Sequence, residues 1–300
     1  MKKALWFGSA LAGIGMLLCG ELKAADQYEI KFNRPDAVGE ACKLDASATL
    51  TMGTTIFIDG TAAQQQKMAG TAVLKGTGTV LAVNGTTKEA SKVKVKVESM
   101  KVVVDGQEVP VAKAGDELVF EKAGGQQTVT VNGEPVGKEM LELLACVVRV
   151  RDPNETTSDD VLFGSAGKKK AGDEWDINTK AAAVEIAKEV GCPVTEQMLK
   201  CKVKLLEFVT AGGEKCAKLK VDMELSGLQL PLPPGVKTVS SSMRFTANGF
   251  LPVDPKSKYS NGGSSLSISL VAAGNVEGKQ VKMEISRIEE SHSIATPVKK

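Results

Sequence analysis

The sequence predicts a mainly β protein: one large antiparallel meander sheet with two short helices packed on it. Three observations predict this. Apolar and polar residues alternate at a period of two over most of the chain, Asn-Gly, Asp-Gly and Gly-Gly pairs punctuate the alternating runs, and helical spacing of apolar residues occurs in only two places. With 300 residues, 42% of them hydrophobic and 25% charged, the chain can bury a sizeable core. Its 4% aromatic content argues against a base-stacking or sugar-stacking surface.

The N-terminus opens with Met1-Lys2-Lys3, an apolar run over residues 4–19, and small residues at Ala24 and Ala25. A cationic head, a short apolar core and a small-residue cleavage site predict a signal peptide over residues 1–24, and hence export to the periplasm or the cell exterior. Cys19 follows Leu18, a bulky residue where lipoprotein processing wants a small one, which disfavours anchoring through Cys19. Cleavage removes three lysines and one glutamate, so the formal charge of +2 falls to zero. A neutral chain offers no global field for nucleic acid, and no later stretch is long and apolar enough for a transmembrane helix.

Residues 25–152 read as an N-terminal β-rich half that ends in a helix. Tyr28, Ile30 and Phe32, then Cys42 to Met52, alternate with polar residues, as do Val93, Val95 and Val97 with Lys92, Lys94 and Lys96. The lysine row reads as a solvated sheet face rather than a polyanion site. Asp59-Gly60, Asn84-Gly85, Asp105-Gly106 and Asn132-Gly133 predict tight hairpins, because these pairs tolerate positive φ, and Gly124-Gly125 predicts another. Met140, Leu141, Leu144, Ala145 and Val148 predict the first helix.

Residues 153–170 are polar and glycine-bearing and read as a linker. The C-terminal half, 171–291, starts with a capped helix: Asn178 or Thr179 caps it, Ala183, Ile186, Ala187 and Val190 form its stripe, and Gly191 with Pro193 stops it. At least five strands follow. The first places Cys201, Val203, Leu205 and Val209 on one face, and its return strand leaves Cys216 on the other. Residues 292–300 read as a polar tail. One short sequence recurs: Lys113-Ala-Gly-Asp-Glu117 and Lys170-Ala-Gly-Asp-Glu174, with Val38-Gly39-Glu40 as a shorter relative, which reads as a shared turn into a strand.

Candidate chemistry is sparse. His292 is the only histidine, which leaves no Ser-His-Asp triad and no multi-histidine zinc site. Five cysteines follow the signal segment (Cys42, Cys146, Cys192, Cys201 and Cys216); no C-x-x-C pair occurs among them, and they read mostly as small buried hydrophobes. The Gly164-Ser-Ala-Gly-Lys168 run lacks the spacing of a phosphate loop. Asp152, Asn154, Glu155, Asp159 and Asp160 could wrap a calcium ion only in a pattern this segment does not follow. Asn84-Gly-Thr86 and Asn154-Glu-Thr156 fit glycosylation acceptors. Trp175 reads as a packing anchor. No catalytic residue, metal or cofactor is therefore expected.

The Gly172-Asp-Glu-Trp175 segment, the capped helix after it and the long terminal meander together resemble exported bacterial β-rich proteins. Their sheets resemble the curved half-barrels of lipoprotein-carrier and lipid-carrier domains. That resemblance implies a curved sheet with an apolar face partly covered by helices and open to an acyl chain. The expected function is non-enzymatic binding of a hydrophobic ligand, with a lipid or an envelope protein as partner. The alternatives are a structural or assembly module of the envelope and, ranked last, a carboxylate-dependent hydrolase.

Overall fold

A computed structural model describes residues 26–298; the predicted signal peptide and Cys19 lie outside the described residues. In chain order the elements are β1 (Tyr28–Glu29), β2 (Ala41–Ile58), β3 (Thr61–Val83), β4 (Ala90–Val104), β5 (Gln107–Glu108), β6 (Glu117–Ala123), β7 (Gln126–Val131), β8 (Glu134–Pro135), α1 (Lys138–Val147), α2 (Asp159–Phe163), β9 (Lys168–Lys169), β10 (Glu174–Asp176), α3 (Thr179–Val190), β11 (Leu199–Ala211), β12 (Glu214–Ser226), β13 (Val236–Pro252), β14 (Ser260–Val276) and β15 (Lys279–Pro297).

Thirteen strands form one open, curved antiparallel sheet in the order β10-β11-β12-β13-β14-β15-β2-β3-β4-β6-β7-β8, with β5 beside β4; β1 and β9 pair separately. The N-terminal and C-terminal strands are thus one sheet, joined where β15 pairs β2 from Val281↔Ile58 to Pro297↔Cys42. His292 sits inside that pairing, opposite Ser47, and not in a tail. The last strand reaches Pro297 because alternation continues through Ser291, Ser293 and Ala295, residues too small to register as an apolar stripe.

The tight turns follow from backbone chirality. Asp59-Gly60, Asp105-Gly106, Asn132-Gly133, Gly124-Gly125 and Gly212-Gly213 all hold positive φ at both positions, the geometry that matches strand twist. Glu277-Gly278 does the same without a sequence signal at its first position. Asn84-Gly85 departs from the expectation: neither residue has positive φ, and Asn84 is fully buried in a longer β3–β4 loop.

The two predicted helices are α1 and α3. Asn178 caps α3 by accepting from Ala181 N at 3.1 Å, and Gly191 ends it at φ 67. A third short helix, α2, lies in the segment read as linker, where five residues are too few to show periodicity. The recurrent sequence is one structural device used three times. Lys113 N and Lys170 N each donate to the Asp three residues on at 2.9 Å, and Ala37 N donates to Glu40 at the same distance. Gly115, Gly172 and Gly39 then donate to Val97 O, Leu205 O and Val80 O on a neighbouring strand.

Two apolar cores sit on the sheet. In one, α1 packs Leu143, Leu144 and Val147 against Leu50, Leu74 and Val95; in the other, Ile177, Ala182 and Ala183 from α3 and its approach meet Val203, Leu219 and Leu225. Cross-strand partners run Cys201–Met223–Phe245–Leu266–Glu289–Leu50–Gly70–Val104 in an unbroken row. Residues in one such row share a face, so both cores lie on the same face of one sheet. A β-bulge between Leu205 and Glu207 shifts the parity of β11, so Phe208 and not Val209 continues the core face; Cys216, opposite Val209, stays on the other side.

Candidate binding trough

The covered face carries three lids: α1 at one end, α2 and α3 at the other, and the proline-rich crossing between β12 and β13. Leu228 O in that crossing accepts from Ser241 Oγ at 3.2 Å, and Leu230 N donates to Thr238 Oγ1 at 3.1 Å. Ser241 and Thr238 are the cross-strand partners of Leu270 and Ala272, which are buried.

Between these lids, β15 and β2 present Ile285, Met283 and Val281 beside Thr54, Ile56 and Ile58, and all are half-buried. Leu266 and Ile268 on β14 extend the strip. Ile56, Ile58, Leu266, Ile268, Met283 and Ile285 belong to neither core. They form a half-buried apolar strip, the candidate trough, flanked along the sheet by the crossing on one side and by Gln64 and Gln66 of β3 on the other.

The trough ends on a charged cluster. Arg287 donates to Glu142 Oε2 of α1 at 2.9 Å and to Glu289, and lies 3.2 Å from Met52 Sδ. Arg149 reaches Glu289 Oε2 at 3.2 Å with its own side chain 55% exposed. Glu289, 7% exposed, stands in the row that links the two cores. A buried carboxylate needs this pairing, because desolvation without it would exceed the gain from any single contact. One end of the trough is therefore apolar and the other offers guanidinium donors to a polar group.

The residues that the sequence singles out are mostly used elsewhere. His292 is on the opposite face, in a depression of about 410 Å³ whose lining also includes Asn248, Asn261 and Glu290. The acids of the 152–160 segment are tied up by the protein itself. Arg151 holds Glu89 at 2.9 Å, Glu155 at 2.7 Å and Asp159, and Asp160 accepts from Phe32 N at 2.6 Å. Trp175 is buried and donates from Nε1 to Phe163 O at 2.8 Å, an anchor for α2. Lys92 and Lys94 pair with Glu121 and Glu117 at 2.8 and 3.0 Å, while Lys96 is exposed. Four of the five cysteines are buried and all are free; burial raises the Cys146 thiol to about 11 and the Cys201 thiol to about 12, so neither supplies a thiolate near neutral pH. Sequence reasoning missed Arg287, Glu289 and Arg149. Only their placement on apolar-periodic positions of β15 and just past α1 could have marked them.

No protein-family model matches the chain, and no curated protein matches it. Among solved structures, it is similar to an outer membrane channel from Pseudomonas putida F1 at 6% identity and a TM-score of 0.19, over 89% of this chain and 99% of that one. A likeness that weak carries no argument. No helix among the described residues is long and apolar enough to cross a membrane.

Proposed function

We propose that the protein is an exported, non-enzymatic binder of an amphipathic ligand, an acyl chain with a polar head, held in the trough on the covered face. The observation that carries this reading is the half-buried strip of Ile56, Ile58, Met283 and Ile285, apolar side chains that neither core absorbs. Removing that strip from water is favourable by about 25 cal/mol per Å², and an extended hydrocarbon fits a strip that runs along two paired strands. Arg149 and Arg287 stand where the head group would sit, and Arg149 has donors to spare on its exposed side. The signal-peptide pattern at the N-terminus supports delivery outside the cytosol, where such a carrier would meet envelope lipids.

The test is mass spectrometry of an organic extract of the purified protein, alongside titration with a fluorescent fatty-acid probe. Copurifying lipid, and probe binding lost in Met283→Lys with an unchanged circular dichroism spectrum, is the expected result. An extract free of lipid together with no saturable probe binding would remove the reading.

A further inference from the structure

The free ends of β13, β14, β15, β2 and β3 project beyond their neighbours as a five-stranded tongue. β4 pairs with β3 only from Gly70 to Val83, and β12 pairs with β13 only from Ser242 to Pro252. The tongue thus has two lateral edges. On the β13 edge the chain itself lies alongside: Ser241 O accepts from Gly227 N at 3.3 Å, and Leu230 N donates to Thr238 Oγ1 at 3.1 Å. The β3 edge, residues 61–68, has no strand partner on its outer side among the described residues, and Thr61 to Lys67 are all exposed.

The direction of the free groups is fixed by the residue next to them. Ala69 accepts from Asp105 N at 2.7 Å and donates to Asp105 Oδ1 at 2.9 Å, so its main-chain groups face outward from β2. Alternation along the strand then sends the N–H and C=O of Lys67 and Gln65 to the same side. An edge of this kind is a template for another strand.

We propose that this edge pairs antiparallel with the same edge of a second copy, about a two-fold axis at Gln65. That register makes Gln65 and its copy a hydrogen-bonded pair that exchanges both main-chain bonds. Gln64 then faces Gln66 twice, amide against amide, and Lys67 faces Ala63. The two lysines stand about 14 Å apart at 3.4 Å per residue, whereas a register centred on Lys67 sets like charges opposite each other. The β-bulge where Ile56 and Phe57 meet β3 twists the strand and stops the pairing near Ala63. Because the two-fold uses the same β3 edge of each copy, the contact is isologous and closes at two copies. Gln64 and Gln66 flank the trough and also lie in the seam, whereas the trough floor of Ile56, Ile58, Met283 and Ile285 takes no part in the pairing.

Light scattering and sedimentation of the purified protein across a wide dilution series test the pairing. The expected result is a reversible monomer–dimer equilibrium. Gln65→Pro removes a donor that the monomer does not use, and Gln65→Lys sets two cations face to face; each is expected to weaken the dimer about tenfold or more while leaving the circular dichroism spectrum unchanged. Gln65→Thr, a strand former without charge, is expected to retain it. A protein that stays monomeric at every concentration, or a dimer indifferent to both Gln65→Pro and Gln65→Lys, overturns the proposal.

Discussion

Replacing Asn84 by alanine is expected to destabilise the fold by about 3 kcal/mol, although the residue lies in a loop and belongs to neither apolar core. Asn84 is fully buried and its side chain makes four hydrogen bonds. Its Oδ1 accepts from Thr86 N at 2.6 Å and Thr87 N at 2.7 Å, and its Nδ2 donates to Asp152 O at 2.6 Å and Glu155 O at 2.8 Å. Two donors on one side and two acceptors on the other fix the amide orientation. A net contribution of about 1 kcal/mol per bond gives roughly 4 kcal/mol, and water reaching the exposed Thr86 recovers part of it. For a chain of this size, about 3 kcal/mol corresponds to a fall in Tm of about 5 °C. Asn84→Asp sharpens the test: it keeps the two acceptor contacts but turns a carboxylate oxygen toward two carbonyls, so it should lose more than alanine at pH 7 and recover on acidification. Urea denaturation of both variants at two pH values reads this directly. A loss below about 1 kcal/mol for Asn84→Ala, or an aspartate variant more stable than the alanine one at neutral pH, would refute the account.

Burial first, then Asp159, pushes the Glu89 carboxyl up to about 7 against the pull of Arg151. The folded state therefore holds that proton more tightly than the unfolded chain, and the group's stabilisation is present below pH 4.5 and lost as pH rises through about 7. Glu89→Gln should flatten the decline in urea midpoint between those pH values, leaving the smaller slope from Glu155 and Asp36, which burial also raises; an unchanged slope would exclude Glu89 as its source. Arg287→Ala leaves Glu142 unpaired and Glu289 with Arg149 alone, at an expected cost of about 3 kcal/mol. Arg287→Met combined with Glu289→Leu removes the buried charge altogether and should recover most of that loss in denaturant melts, and a double variant no better than the single one would contradict the assignment.

Most of the sheet was legible because one face is buried: a half-shielded strand must alternate, and Asp-Gly or Asn-Gly must turn where both φ angles are positive. The recurrent Lys-Ala-Gly-Asp-Glu segment was legible for the same reason, since its glycine and acid are both required by the turn. What the sequence concealed are changes of parity and long-range partners. A single extra residue at Leu206 moves Phe208 onto the core face in place of Val209, and nothing local announces it. Asn84-Gly85 carries a hairpin signal, yet the amide is worth more as a tie to residues 152–155 than as a turn. The trough is legible only as the open face of a curved sheet. Its charged end is not, because Arg287 and Glu289 meet Glu142 and Arg149 only after the chain's last strand has found its place.

That last strand has a kinetic implication. β15 follows β2 by more than two hundred residues, yet they lie side by side in the middle of the sheet. Closing a loop of more than two hundred residues is slow relative to forming hairpins. Each half therefore waits with an unzipped flank until β15 is made, and a chain cut short before β15 presents two raw sheet margins at once. The seam at the centre of the sheet is thus the last part of it that can be sewn.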